Sequence, residues 1–586
     1  MNDRTWSLDG LYLGFDDPKY AEDFAALQAA CAEFVAEAAK MNELEPLQMV
    51  KAYLEGSEKL TAMSSKLGQF AMLRHSANTN DADAASWSGR ISETVSSVAG
   101  AKAAYSGAIA KLENLDELIE ADETLQKYAF LLRNLRESSK YLMGAKEETV
   151  FARMDNSGAT AWSNLQSQLT ATVKVSYNGG YTNLSSIRNL AYDADADVRK
   201  AAYEAELAAY PQIADAVAFS LNSIKQQVLT ECSLRGYDGP LDKTLKSAHM
   251  TRPTLDALLE SMQAYFPKYW QYLRRKAEIL GHQNGLPWYD LFAPMGSSGK
   301  TYTVEEAKEF LLEQFGKFDD SLKNMTARAF DERWIDFYPR TGKVGGAFCS
   351  PVKSLRQSRV LTNYDGSFSD IVTLAHELGH AYHNEQIFDQ SALSRYTMPV
   401  AETASTFNEC LVMQAAIAAA DDKQVKLALI ESRLQDSTQI ICDIFSRYLF
   451  ETSVFDARPQ QFMGADNLCQ KMIAAQKAAY GTGLDENFLH PYMWVCKSHY
   501  YSGGLSFYNF PYAFGGLFAG GLYAIYREEG KSFIPRYQKM LELTLSTTVE
   551  DTAKVMGIDL TKRDFWNQAL AAIADEIDQF LELTEA

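Results

Sequence analysis

The chain lacks any stretch long and apolar enough to cross a membrane. Its nearest candidate, FPYAFGGLFAGGLYAIY at 510–526, is interrupted by two glycine pairs, whereas a span needs about 18–20 continuous apolar residues. The opening MNDRTWSLDG has no apolar core of the kind a signal peptide carries. Cysteine is sparse and scattered: Cys31, Cys232, Cys349, Cys410, Cys442, Cys469 and Cys496 never form a CxxC pair. That excludes a disulfide framework and a cysteine metal site, and it fits a reducing cytoplasm. Basic charge is also short. Lys and Arg number 56 against 76 Asp and Glu, for a formal charge of -20. Nucleic-acid binders need a basic footprint, so no nucleic-acid partner is expected, and no membrane partner either. Repeats of fixed period and low-complexity linkers are missing as well.

What remains is an ordinary globular composition, 47% apolar and 23% charged, in 586 residues. The first 280 or so residues read as successive helices. In AEDFAALQAACAEFVAEAAK (21–40), Phe24, Leu27, Cys31, Phe34 and Val35 recur at helical spacing. Proline is rare there, as long helices require. Gly, Pro and Ser cluster in GHQNGLPWYDLFAPMGSSGKTYT (281–303), which predicts a long connection. One β-rich island follows. ERWIDFYPRTGKVGGAFCSPV (332–352) has β-formers at Trp334, Ile335 and Phe337 and a turn at Pro339–Gly342, and SRVLTNYDGS (358–367) supplies a second strand. Helix resumes to the end, with a glycine-rich break expected at 503–521. The fold class is mostly α, with an N-terminal helical lobe over 1–200 and a catalytic region over 201–586.

Directly after the β island comes TLAHELGHAYHNE, residues 373–385. Asp365–Gly366 reads as a turn, and Ser367 or Ser369 can cap the helix that follows. Residues four apart on a helix share a face, so His376 and His380 can bring two imidazoles to one ion. Glu377 sits about 100° further round, within reach of a water at that ion. Zinc suits such donors, taking imidazole nitrogen and carboxylate oxygen and keeping one position for water in catalytic sites. Cobalt or manganese would satisfy the same donor set. The plainer alternative is a helix that merely carries histidines.

A third ligand is needed. A histidine ten residues after the first is ruled out, because that position is Gln386. The carboxylate candidates are Glu385, Glu402 and Glu409. Glu385 shares the histidine helix and lies too far round. Glu402 and Glu409, in MPVAETASTFNECLVMQAAIAAA (398–420), are seven apart on one helical face, and Ala401, Ala404 and Ser405 would let this helix come close. Glu402 is the expected ligand and Glu409 an orienting group behind it. His383 and Asp370, on the histidine helix, are further candidates for orienting a ligand.

HYYSGGLSFYNFPYAFGG (499–516) combines His499 with four tyrosines and two glycine pairs. Amide hydrolysis builds charge on the carbonyl oxygen, and donors aimed at that oxygen stabilise the transition state. Glycines would let such a segment move as substrate enters. An aromatic stripe alone is more often core, and it is the neighbouring metal motif that gives this one value.

HELGHAYH, AETASTFNE and HYYSGGLSFYNFPYAFGG resemble the oligoendopeptidase F and thimet oligopeptidase family of zinc peptidases. WSLDGLY, RGYDG (235–239), WYDLFAP (288–294) and IDFYPRTGKVGGAFCSP (335–351) resemble its oligoendopeptidase F branch. The resemblance implies a mostly helical, two-lobed metallopeptidase with a deep central channel and a small sheet beside the zinc helix. It implies one zinc per chain on His376, His380 and Glu402, with Glu377 as general base. His499, Tyr508 and Tyr512 would bind the substrate carbonyl, and Gly345, Gly346, Ala347 and Phe348 would pair with the substrate backbone as an edge strand does. Short unstructured peptides would be the partners. One departure stands out: the thimet branch has a further tyrosine five residues after the histidine matching His499, where this chain has Gly504. Tyr508 must then supply that hydroxyl. Two other readings are a carboxypeptidase or dipeptidase on the same scaffold, and a non-catalytic peptide-binding protein, which the intact Glu377 disfavours.

Overall fold

The computed structural model describes residues 4–296 and 300–585. Residues 297–299 of the expected connection at 281–303 lie outside them. Helices dominate, and the buried apolar side chains gather into two cores. The smaller runs from Trp6 to Leu132 and the larger from Ala159 to Phe580. The first long helix, Pro18–Ala38, shows why such segments fold. Asp17 caps it, proline occupies its first turn, and Tyr20, Phe24, Leu27, Cys31 and Phe34 bury one stripe. Val35, expected on the same face, is 41% exposed, because it falls about 100° past Phe34.

The β structure is small but well placed. A hairpin, β1 (Val175–Tyr177) and β2 (Gly180–Thr182), lies inside the region expected to be wholly helical. Asn178 and Gly179 both have positive φ, 49° and 75°, the two-residue turn that matches strand twist. The second sheet has β3 (Ile335–Asp336), β4 (Phe348–Val352) and β5 (Gln357–Leu361) in the order β3-β5-β4. β5 pairs parallel to β3 and antiparallel to β4, which leaves β4 at an edge. Val352 and Leu361 belong to the smaller apolar core, although they are far from it in sequence. The N-terminal segment is tied to the same sheet: Ser7 N–H donates to Arg333 O at 2.8 Å and Phe337 N–H to Arg4 O at 3.0 Å.

The histidine helix spans Phe368–Ile387. Ser367 caps it, and Asp370 reaches back to the Ser367 backbone in a capping box. The segment expected as one helix over 398–420 is two, Met398–Ala401 and Thr403–Ala419, with Glu402 at the break between them. The expected glycine-rich break at 503–521 is shorter than the sequence suggests. Helix starts at Phe510 and runs unbroken to Glu529 through Gly515, Gly516, Gly520 and Gly521. Close packing is the reason at Gly521, where an added Cβ would sit 2.5 Å from the Phe565 ring. Among the described residues no helix is long and apolar enough to cross a membrane.

Candidate active site

Three donor atoms converge between the histidine helix and the Glu402 break. His376 Nε2 and His380 Nε2 are 3.2 Å apart, and each lies 3.2 Å from Glu402 Oε2. Ligands bound tetrahedrally at about 2.0–2.1 Å have edges of about 3.3–3.4 Å, so the triangle fits one face of a zinc-sized tetrahedron. Two of the three residues have a supporting partner. The His376 Nδ1 side meets Glu409 Oε1 at 2.5 Å, fixing the ring so that Nε2 faces the triangle. Ser405 Oγ donates to Glu402 Oε2 at 2.8 Å. Burial alone would favour protonated Glu402, but the two imidazoles hold its carboxyl well below the usual range. Burial likewise opposes a charge on His376, yet Glu402 and Glu409 push that imidazole up to about 10.

Glu377 is 5% exposed, and its Oε2 has no hydrogen-bond partner. A buried carboxylate oxygen without a donor is costly unless water or substrate reaches it during function. Burial raises its pKa, and the neighbouring Glu402 and Glu409 charges add to that, against the lowering pull of His376 and His380. A carboxyl shifted up from its ordinary range suits proton transfer near neutral pH.

The close approach of the histidine helix to the helix Thr403–Ala419, which begins just after Glu402, depends on Gly379, which sequence reasoning passed over. A Cβ there would lie 2.5 Å from both Ala404 O and Ser405 Cα. The signal was a glycine inside an otherwise good helix, a position that usually has a packing reason. Asn408 was also missed; its Nδ2 donates to Ala375 O at 3.3 Å and pins the same pair of helices.

The aromatic group forms a second cluster. The His499 ring stacks near Tyr508 at 5.3 Å between centroids and meets Tyr512 edge-on at 6.1 Å, and the tyrosines are 5.7 Å apart. The helix carrying Tyr512 packs on the Glu402 segment, since a Cβ on Gly515 would touch Glu402 Cβ at 3.4 Å. Burial, then Tyr508, push the Tyr512 hydroxyl up to about 12, with a further contribution from Glu402, so it remains a donor. Burial, reinforced by the Arg447 and Lys497 charges, lowers the His499 pKa.

Gly345, Gly346 and Ala347 lead into β4, and Phe348 is its first residue. Asn363 Nδ2 donates to Val344 O at 3.0 Å and Gly346 O at 2.8 Å, setting this approach. Glu385 points elsewhere, to Arg328 at 3.1 Å. Asp370 is occupied by helix capping, accepting from the N–H groups of Asp365, Gly366 and Ser367. His383 turns away from the triangle as well. Its Nε2 lies 2.9 Å from Thr544 Oγ1 and 3.2 Å from Leu541 O, and its ring stacks on Tyr396. Burial, then the nearby His380, push its pKa down to about 4 from 6.5. A neutral buried imidazole contributes stability that is complete above pH 6.5 and is lost as pH falls toward 4. The loss from this group is about 3 kcal/mol. In urea melts at pH 7 and pH 4, His383→Gln is expected to show correspondingly less acid sensitivity than the unaltered protein. Equal acid sensitivity would refute that account.

Comparison with known proteins identifies the family of the chain. The sequence profile of peptidase family M3 matches residues 189–572, and that described as oligopeptidase F matches residues 111–174. The chain belongs to peptidase family M3. Within that family this M3 peptidase falls in the oligoendopeptidase F branch. It is 22% identical over 616 residues to the oligoendopeptidase F homolog of Lactococcus lactis, covering 99% of this chain and 97% of the relative. In fold it is similar to a crystal structure from Chlamydophila abortus, with a TM-score of 0.85 and 19% identity over 99% of this chain and 98% of that one. The oligoendopeptidase-F structure from Enterococcus faecium superposes with a TM-score of 0.71 at 18% identity, over 96% of this M3 peptidase and 99% of the other chain.

Proposed function

We propose that this M3 peptidase is a zinc-dependent oligoendopeptidase that hydrolyses internal bonds of short, unstructured peptides in the cytoplasm. The observation that carries the reading is the triangle of donor atoms 3.2 Å on a side with the unpartnered Glu377 Oε2 beside it. Zinc held by His376, His380 and Glu402, one per chain, would supply Lewis-acid activation of a water and of the scissile carbonyl. Glu377 accepts the proton of the attacking water at Oε2 and delivers it to the nitrogen of the leaving amine. Its raised pKa lets one group do both. The Tyr512 and Tyr508 hydroxyls and a neutral His499 N–H donate to the carbonyl oxygen as charge develops there. Gly345, Gly346, Ala347 and Phe348 pair with the peptide backbone, which selects extended chains over folded ones.

The test is a mixed pool of peptides, roughly 5–20 residues long, an accessible range for extended segments, incubated with and without a chelator and read by mass spectrometry. Internal cuts that vanish with chelator and return with added zinc are expected. Removal of terminal residues alone would overturn the endopeptidase reading. No cleavage in protein carrying stoichiometric zinc would overturn the hydrolytic one.

A further inference from the structure

Tyr508 sits in a turn whose backbone is unusual. Phe507, the residue before it, has φ +53°, a left-handed state that side chains with a Cβ adopt only under constraint. The constraint comes from two helices far away in sequence. Glu451, on the helix Ile444–Ala457, accepts the Phe507 N–H at Oε2 over 3.1 Å. Its other oxygen accepts from Lys225 Nζ, on the helix Ala214–Arg235, at 2.6 Å. Both side chains are sealed from solvent, at 1% and 0% exposure.

The rest of the turn is built around this pair. The Lys225 ammonium lies 4.7 Å over the Phe455 ring, and the Phe507 ring packs on Phe455 at 5.6 Å and on Tyr448 at 5.5 Å. Thr244 Oγ1 donates to Ser506 O at 2.9 Å, and Asn509 N–H closes the turn on Phe507 O at 2.7 Å. The helix bearing Tyr512 then begins at Phe510. The glycines at 503 and 504 therefore precede an anchored turn and do not extend into it.

A buried ion pair is seldom worth more than apolar residues of the same volume, so stability alone is a poor reason for this one. A carboxylate clamped by an ammonium does offer a charge-assisted acceptor of fixed direction. We propose that the Lys225–Glu451 pair is a positioning device for the reaction: it holds Phe507 left-handed and thereby aims the Tyr508 hydroxyl at the scissile carbonyl. The inference rests on the oligoendopeptidase reading above, in which Tyr508 touches substrate.

The test replaces the pair as a unit, so that no orphan charge remains. Lys225→Met with Glu451→Leu removes the acceptor, and Lys225→Met with Glu451→Gln keeps an oxygen for the Phe507 N–H. With the leucine, kcat is expected to fall roughly 10- to 100-fold, the scale of a misplaced catalytic group, while KM and zinc content hold. With the glutamine, most of that loss is recovered. In a Tyr508→Phe background the leucine pair costs nothing further, because coupled residues are non-additive. Phe507→Val, which keeps the pair and an apolar side chain but resists the left-handed backbone, must reproduce the kcat loss and its absence beside Tyr508→Phe, even if the leucine variant does not fold. Unchanged kcat in Phe507→Val, or full additivity with Tyr508→Phe, would overturn the proposal. If Tyr508→Phe alone leaves kcat intact, the assigned role of Tyr508 fails and the positioning device fails with it.

Discussion

Glu377→Gln is expected to lower kcat by roughly 10²- to 10⁴-fold, the range for losing a general base, while zinc content stays at one per chain. The two side chains have the same shape, so the helix Phe368–Ile387 and the spacing of His376 and His380 are undisturbed. What disappears is the basic oxygen. Oε2 of Glu377 is buried and unpartnered, so it is free to receive a proton, and an amide in its place receives none. Thermal stability should hold or rise slightly, because the glutamine is neutral where burial disfavours charge. Metal analysis, melting and peptide turnover on one preparation make the check. Wild-type turnover in a zinc-loaded Glu377→Gln protein would remove Glu377 from the mechanism.

Gly379→Ala should act through packing, with a sign opposite to the usual one. Glycine in a helix interior costs about 1 kcal/mol relative to alanine, so this exchange ordinarily stabilises. Here the new methyl would meet Ala404 O and Ser405 Cα at 2.5 Å. Both are backbone atoms and cannot swing aside. The helices must separate, which costs about 1–3 kcal/mol as overpacking. The displaced residue Ser405 is the one that holds Glu402 Oε2, so zinc affinity should fall about 10–100-fold, as when a supporting partner is lost. Gly68, inside the helix Pro46–Ala77 with nothing within 4 Å of its Cβ direction, is the control. Gly68→Ala should raise the melting temperature and leave zinc binding alone. If Gly379→Ala behaves like Gly68→Ala, close helix approach does not govern the metal triangle.

Much of this site is local in sequence and was legible for that reason. The spacing of four that puts His376 and His380 on one face follows from helix geometry, and the Ser367 cap follows from residue type. The directions of His383 and Asp370 were not legible. His383 is claimed by Thr544 and Leu541, which are remote in the chain, and Asp370 by three backbone N–H groups at its own helix start. The glycines from 515 onward show a different limit. One residue type serves both a loose turn and a tight helix crossing, and only the neighbours, Glu402, Ile440 and Phe565, tell the two apart. The hairpin at Asn178–Gly179 carried a recognisable turn signal that the surrounding helical pattern obscured. The Lys225–Glu451 pair had no signal at all, because it joins positions 226 residues apart.

The sheet that flanks the histidine helix also sets an order of events during synthesis. Val352 and Leu361 complete an apolar core whose other members end at Leu132. A ribosome adding about 5–20 residues per second finishes the first helices many seconds before those two side chains emerge. Throughout that interval the nascent N-terminal bundle carries an uncovered greasy face. It waits for a strand from the middle of the chain, and it is during this wait that a chaperone would find the protein.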